Sequence, residues 1–142
     1  MVHDPSILEM IKSVYLPNPD WCFDAEMLDH SIRKEKEWDC PLKYSQLDTL
    51  PGVYLFVGYS DKDESPISLY AGKAVQLWNR MQSHWQMRNH SRVWLADFFS
   101  DLESGLDMSP IINVCVWRSD NRAALESEVL QKLRPKYCIR HE

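Results

Sequence analysis

The sequence predicts an α+β domain whose elements follow the order strand, strand, helix, helix, strand, helix. Two short apolar runs, residues 50–58 and 69–72, flank the polar segment 59–66, and this pattern is typical of a β-hairpin. Residues 110–117 are rich in β-branched side chains, so they are predicted to form the third strand. Gly72 ends the second strand, where the chain can turn tightly or let another backbone approach closely.

Three further segments show helical periodicity. Residues 75–88 carry an apolar stripe beside a polar one, and Arg80 and His84 lie four residues apart on the polar stripe. Residues 93–102 and 121–133 are predicted to form the other two helices, each with an apolar face. These helices are therefore expected to pack against the sheet.

The first 45 residues are predicted to form a helical extension, and residues 46–142 to form the main module. Asp4 and Pro5 suit the start of a helix, as its cap and its first helical residue. A second helix is predicted over residues 24–38. The extension either packs on the module as extra core or docks a partner protein or a second copy of the chain. The acidic charge of the extension repels DNA and so favours a role in docking a protein.

The composition excludes several classes of protein. The apolar fraction of 44% and the charged fraction of 26% are ordinary for a globular chain. No apolar run has the length of a membrane span and the N-terminus has no signal pattern, so no membrane contact is expected. The four cysteines include no CxxC pair, so they are interpreted as reduced thiols of a cytoplasmic protein. A zinc site built from these cysteines and some histidines is a less favoured alternative.

The net charge of −5 is unevenly distributed along the chain. Residues 1–51 carry ten acids and five bases, whereas residues 52–142 carry eleven of each. Within the second part, residues 65–96 and 129–141 contain bases but no acid. Two basic patches on a neutral module suit contact with nucleic-acid phosphates, although solvated helix faces would give the same pattern.

Two triplets and an arginine carry a resemblance to a known family. The triplets are Gly52-Val53-Tyr54 and Tyr70-Ala71-Gly72, and Arg80 follows the second triplet by eight residues. This ordered set resembles the GIY-YIG nucleases, and the run that continues to Lys73 and Ala74 is similar to the nuclease module of the UvrC-type excision-repair members. The resemblance covers residues 50–138. It implies a three-stranded antiparallel sheet flanked by helices.

A second stretch resembles the metal-binding helix of the same family. Glu126 lies eight residues before Arg134-Pro135, and Lys136-Tyr137 follow. The alignment selects Glu126 and not Glu128. Cys138 stands where the family often has Asn, a residue that supports the site indirectly. Its loss is expected to affect efficiency or substrate geometry more than the reaction itself.

The resemblance implies a metal-dependent endonuclease that hydrolyses phosphodiester bonds in DNA. Glu126 would bind Mg²⁺ (or Mn²⁺), since a single carboxylate completed by waters and a substrate phosphate is a normal set of ligands for Mg²⁺. The metal would lie near the leaving 3′ oxygen, and cleavage would leave 5′-phosphate ends. Arg80 offers a permanently charged fork for phosphate oxygens.

The hairpin tyrosines and two neighbouring side chains complete the predicted catalytic set. Tyr54 is predicted to be the general base and Tyr70 to orient the attacking water, although the two could exchange roles. A free phenol titrates at about 10, so Tyr54 needs a nearby cation, which Lys73 could supply. His84, one turn beyond Arg80, would donate to the phosphate or help to position water.

Three further bases are predicted to contact the substrate backbone: Arg88 and Arg92 in the first basic patch, and Lys132 in the second. Trp78 and Trp85 are predicted to be buried and not to stack on bases, because Trp85 lies on the apolar stripe of its helix.

Two other functions remain open at this point. The chain could be a non-catalytic or partner-dependent interaction module, which the acidic extension and Cys138 would favour. A nuclease acting on RNA or on single strands would use the same chemistry, and no base-reading element separates these substrates from duplex DNA. A homodimer would be needed for paired cuts made with one active site per chain.

Overall fold

A computed structural model describes residues 5–28, 50–86 and 94–141, with side chains as far as residue 138. These residues form one four-stranded sheet in which every pairing is antiparallel. The order across the sheet is β1-β4-β2-β3, so β1 and β3 are its two edges in the described part. In chain order the strands are β1 (Trp21–Asp24), β2 (Gly52–Tyr59), β3 (Pro66–Ala74) and β4 (Asn113–Arg118).

Helices cover both faces of this sheet. Ala25–Leu28 and Lys136–His141 are short 3₁₀ segments. No helix in the described ranges is long and apolar enough to cross a membrane. The α-helices found there are α1 (Pro5–Ser13), α2 (Leu77–Gln86), α3 (Trp94–Glu103) and α4 (Arg122–Leu133).

The predicted α+β class is confirmed, but the predicted number of three strands is wrong. The described part of the chain has a fourth strand because β1, from the N-terminal extension, pairs with β4. The register runs from Trp21 opposite Val116 to Asp24 opposite Asn113. β1 has only four residues and its partner is far along the chain, so no local pattern reveals it.

The N-terminal extension contributes to the same core as the rest of the described chain. Ile7 and Ile11 of α1 are fully buried in a cluster that includes Val53 and Leu55 of β2. The predicted helix over residues 24–38 is replaced at its start by the end of β1 and a 3₁₀ segment, and residues 29–38 lie outside the described residues. The boundary predicted at residue 45 also lies outside them, so it stays a prediction.

Alternation along β2 sends its side chains into two separate cores. Val53, Leu55 and Val57 pack on the face covered by α1 and α4, whereas Tyr54 and Phe56 pack on the face covered by α2 and α3. None of the five is more than 1% exposed. A continuous apolar run is what a strand covered on both faces requires.

A β-bulge in β3 decides which way Tyr70 points. Phe56 pairs with Tyr70, but the next residue of β2, Val57, pairs with Ser68, so Leu69 is the extra residue. Leu69 and Tyr70 both pack in the core on the α2 side. Neighbours in a regular strand would point to opposite faces. The bulge therefore brings the tyrosine of the second triplet to the same face as the tyrosine of the first.

Candidate active site

Two tyrosines and a histidine form a cluster where β2, β3 and α2 meet. The hydroxyl oxygen of Tyr54 lies 2.8 Å from Nε2 of His84. The ring centroids of Tyr70 and His84 are 5.0 Å apart, and those of Tyr54 and Tyr70 are 6.5 Å apart. The structure thus brings together three residues of the predicted catalytic set, and α2 supplies His84 from the turn that follows Arg80.

Tyr54 forms the back of this cluster and Tyr70 lies nearer its mouth. Tyr54 is 1% exposed, whereas Tyr70 is partly exposed. Burial raises the pKa of Tyr54 well above its ordinary value, and the neighbouring Tyr70 raises it further, while Arg80 opposes the rise. Tyr54 is therefore a neutral phenol at physiological pH. In this arrangement Tyr70, and not Tyr54, is the tyrosine within reach of a ligand.

His84 is held as a neutral imidazole. Burial lowers its pKa to about 4, and the positive charge of Arg80 contributes in the same direction. A neutral imidazole has one ring nitrogen that donates and one that accepts, so the Tyr54 hydroxyl can donate to Nε2 or accept from it, depending on the tautomer. The hydrogen bond fixes the Tyr54 ring at the back of the site.

We expect His84 to make stability dependent on pH. Its pKa is lower in the folded state than the ordinary value of 6.5, so the unfolded chain binds the proton more readily. This contribution is fully present above pH 6.5 and is lost as the pH falls towards 4. Between pH 7 and 4.5 the free energy of unfolding should fall by roughly 2–3 kcal/mol more in the parent chain than in His84→Gln. Urea unfolding at both pH values measures this difference, and equal falls would contradict it.

Arg80 lies at the edge of a solvent-filled groove beside the cluster. The groove has a volume of about 480 Å³, and its walls include Lys73, Asn79, Arg80 and Ser83 but no acidic side chain. Arg80 is exposed, so its guanidinium can meet a ligand in this groove and still influence Tyr54 behind it. A cationic groove of this kind suits an anionic ligand.

Glu126 reaches the same end of β3 from the other face of the sheet. Its Oε1 lies 3.9 Å from Nζ of Lys73, and the two side chains are 22% and 46% exposed. Lys73 pairs with Val53, so it points to the face covered by α4, and Glu126 is carried by α4. The negative charge of Glu126 also contributes to the raised pKa of Tyr54, which places the two groups in one electrostatic environment.

The described donor set near Glu126 is compatible with a hard divalent cation. Among the residues that the structure describes, no three His, Cys, Asp or Glu side chains are grouped as metal ligands. Mg²⁺ keeps several waters and takes one or two carboxylates, so Glu126 alone fits it, as it fits Mn²⁺, another ion suited to oxygen ligands. A structural zinc ion would need four ligands.

Close contacts leave no room for a side chain at the glycines of the two triplets. A Cβ atom at Gly52 would overlap the carbonyl oxygen of Trp117 in β4, which is fixed backbone. A Cβ atom at Gly72 would lie 2.6 Å from Cζ of Tyr54 and closer still to its hydroxyl oxygen. The first glycine therefore lets β2 approach β4, and the second leaves room for the Tyr54 phenol.

The chain is 34% identical over 109 residues to UvrABC system protein C of Neisseria gonorrhoeae, and 32% identical over 114 residues to that of Neisseria meningitidis serogroup B. It is 32% identical over 96 residues to UvrABC system protein C of Legionella pneumophila. The chain is a partial relative of UvrABC system protein C. The predicted resemblance to UvrC-type proteins is confirmed at this level.

The similarity to UvrABC system protein C covers most of this chain but little of those relatives. The three matches cover 75%, 79% and 67% of the chain and 15%, 16% and 13% of the relatives. The chain therefore spans about 15% of the length of the curated relatives it matches. No protein-family model matches the chain. No solved structure matches it either.

Of the three predicted substrate-binding bases, Lys132 lies within the described residues and pairs with an acid of its own helix. Nζ of Lys132 lies 2.9 Å from Oε1 of Glu128 and 3.3 Å from the carbonyl oxygen of Tyr15, next to the N-terminal extension. Arg88 and Arg92 lie outside the described residues. Their predicted contact with substrate stays a prediction.

Both tryptophans of α2 are buried, as predicted. Trp78 is 1% exposed and Trp85 is 9% exposed. They lie in the core on the α2 side of the sheet, together with Tyr54. Neither ring is therefore available to stack on a base in this arrangement.

Sequence reasoning missed two residues that hold the site in place. Trp94 of α3 stacks on Tyr70, with ring centroids 5.2 Å apart and planes 1° from parallel. Cys138 contacts the backbone of Ala71 in β3. Trp94 carries the ordinary signal of a core residue, so its partner could not be foreseen. Cys138 could be noticed only as a departure from the Asn of the family.

Proposed function

We propose that the chain is a GIY-YIG-type endonuclease that hydrolyses phosphodiester bonds in DNA with the help of Mg²⁺ or Mn²⁺. The observation that carries the proposal is the convergence at the end of β3. Tyr70, His84 and Arg80 approach from one face of the sheet, and Lys73 and Glu126 approach from the other. Similarity to UvrABC system protein C supports a nuclease-related role in DNA excision repair.

Phosphate binding is assigned to the two bases of the groove. Arg80 can place two N–H donors on the non-bridging oxygens of a phosphate, and its charge persists at any physiological pH. Lys73 adds a second positive charge at the end of β3, where its amine already lies near Glu126. Two cations at one phosphate favour the additional negative charge that develops as the attacking oxygen approaches phosphorus.

Tyr70 is assigned to orient the attacking water. Tyr70 is partly exposed and its ring contacts those of His84 and Trp94, so its hydroxyl can hold a water at the mouth of the site. Tyr54 is too deeply buried to touch substrate in this arrangement, and its bond to His84 makes it a support for the site. The geometry thus favours an exchange of the roles first predicted for the two tyrosines.

Glu126 is the carboxylate that would hold the divalent ion. Such an ion, when bound, neutralises negative charge on the phosphate and on the leaving oxygen. Glu126 is partly exposed and lies beside Lys73, so an ion held by its carboxylate could reach the phosphate that Lys73 contacts. Movement of the Lys73 amine from the carboxylate to the phosphate would leave both oxygens of Glu126 open to the ion.

Cleavage of a supercoiled plasmid tests the proposal. We expect nicked product with Mg²⁺ or Mn²⁺ and a loss of at least about a hundredfold in rate with EDTA, restored by excess Mg²⁺. Persistent cleavage in EDTA would contradict the role of the metal. Binding to DNA at low salt without cleavage under any metal would favour the interaction module instead.

The same assay can separate the substrate classes. Single-stranded DNA and RNA oligonucleotides of the same sequence are compared with the duplex at equal concentration. The DNA assignment comes from similarity to UvrABC system protein C. We expect duplex DNA to be cut fastest. Faster cleavage of RNA would overturn the DNA assignment and leave the chemistry in place.

A further inference from the structure

The thiol of Cys138 satisfies two backbone groups at the edge of β3. In an antiparallel pair, alternate residues of an edge strand point their N–H and C=O groups away from the partner strand. Ala71 is such a residue: its N–H lies 3.3 Å from Sγ of Cys138, and its carbonyl oxygen lies 3.4 Å from the same sulfur. Cys138 is 7% exposed, so water has little access to either group. One side chain thus takes the place of a neighbouring strand.

Ala71 is the residue between Tyr70 and Gly72. Its N–H belongs to the peptide group shared with Tyr70, and its carbonyl belongs to the peptide group shared with Gly72. The contact with Cys138 therefore adds to the pairing with β2 in holding both peptide planes. Because the direction of a side chain in a strand follows the backbone, the orientation of the Tyr70 ring depends on these planes.

The residue before Cys138 ties the same segment to α3. The hydroxyl of Tyr137 donates to Oδ2 of Asp101 at 2.6 Å. α3 also carries Trp94, whose ring stacks on Tyr70. Two consecutive residues of the C-terminal 3₁₀ segment thus connect the helix that supports Tyr70 to the strand that carries it.

We propose that Cys138 is a positioning residue that holds the backbone of Ala71 and through it sets the orientation of Tyr70. The effect on catalysis rests on the proposed nuclease function, whereas the effect on the Ala71 backbone does not. Donation to the Ala71 carbonyl needs the protonated thiol, and burial raises the pKa of Cys138, so the proton is retained at neutral pH.

The two contacts of the Cys138 thiol predict which substitutions at this position keep its role. A sulfur atom is a weak acceptor and S–H is a weak donor, whereas a side-chain amide offers a stronger acceptor and a stronger donor on one short side chain. Asn at this position can therefore accept from the Ala71 N–H and donate to its carbonyl. Cys138→Asn should preserve the function of Cys138, and Cys138→Ala should remove both bonds.

The test compares Cys138→Ala, Cys138→Asn and the control Cys22→Ala. Cys22 is a matched control because it is 6% exposed and lies in β1, at the opposite edge of the sheet, where its thiol contacts Cys115. Amide hydrogen exchange at Ala71 is the direct readout. We expect exchange to be about tenfold faster in Cys138→Ala than in Cys22→Ala, and near the parent rate in Cys138→Asn.

Cleavage kinetics give the second readout. In Cys138→Ala we expect kcat to fall by roughly three- to tenfold with an unchanged KM, and Cys138→Asn to restore it. Equal exchange at Ala71 in both alanine variants would overturn the proposal, as would an equal loss of kcat in both. If the parent chain cleaves no nucleic acid, the exchange rates and the ring chemical shifts of Tyr70 still decide the positioning role. That failure would then count against the nuclease function alone.

Discussion

Replacing Glu126 by Gln should lower kcat for DNA cleavage by about 10²–10³-fold while the fold is kept. Gln has the same shape but lacks the negative charge that a divalent ion needs, so metal binding is weakened with little change in packing. The ion pair with Lys73 is also lost, but a half-exposed pair at 3.9 Å stabilises the fold by no more than about 1 kcal/mol. Plasmid cleavage over a Mg²⁺ titration, together with urea unfolding, measures both effects.

Glu128→Gln is the matched control for this change. Glu128 lies on the same helix two residues further on, and it pairs with Lys132 at 2.9 Å, away from the tyrosine cluster. Its replacement should leave kcat and the Mg²⁺ dependence near those of the parent chain. An equal loss of activity in both variants would show that charge on α4, and not a metal-binding carboxylate, supports cleavage. An unchanged rate in Glu126→Gln would remove Glu126 from the site.

Replacing Gly72 by Ala should destabilise the chain by about 3 kcal/mol and lower cleavage by about a hundredfold. The new methyl group would collide with the phenol of Tyr54, which is buried and hydrogen-bonded to His84. Since that ring has no room to move aside, the strands must separate or the hydrogen bond must break. Either response shifts the neighbouring Tyr70. Thermal or urea unfolding and plasmid cleavage report the two losses separately.

Gly58→Ala provides the comparison within the same hairpin. A Cβ atom there would meet Cδ1 of Leu69 at 3.0 Å, which is the end of a flexible side chain. We expect a cost below about 1.5 kcal/mol and nearly parental activity, because the atom that the new methyl group meets is the end of an aliphatic side chain and not the Tyr54 phenol. A similar loss in both variants would mean that strand geometry in general, and not the Tyr54 contact, makes Gly72 necessary.

Local sequence patterns predicted most of the elements in the module. The hairpin and the helices α2, α3 and α4 all occur near the predicted positions, since each is specified by the spacing of its own side chains. The third predicted strand begins at Asn113 and not at residue 110, because residues 110–112 do not pair with β2. Boundaries of this kind depend on the partner strand and not on the segment itself.

Pairs of residues that are close in the sequence were also predicted correctly as neighbours. Arg80 and His84 share a face of α2, and Tyr54 and Tyr70 belong to one hairpin. Two contacts between distant segments were not predicted. The pairing of β1 with β4 and the bond from Cys138 to Ala71 join segments whose own sequences carry no sign of each other.

The sequence by itself determined the candidate site residues, because the spacing of the two triplets, Arg80 and Glu126 resembles that of the GIY-YIG nucleases and can be read without coordinates. The tertiary structure decided which face of the sheet carries the Tyr70 side chain. Counted from the turn of the hairpin, strict alternation would place the Tyr70 side chain on the face opposite Tyr54. The extra residue Leu69 shifts this count by one, so Tyr70 lies on the same face as Tyr54. The reason is physical: a bulge forms where pairing with a second strand makes it favourable, and that pairing is a property of two segments together.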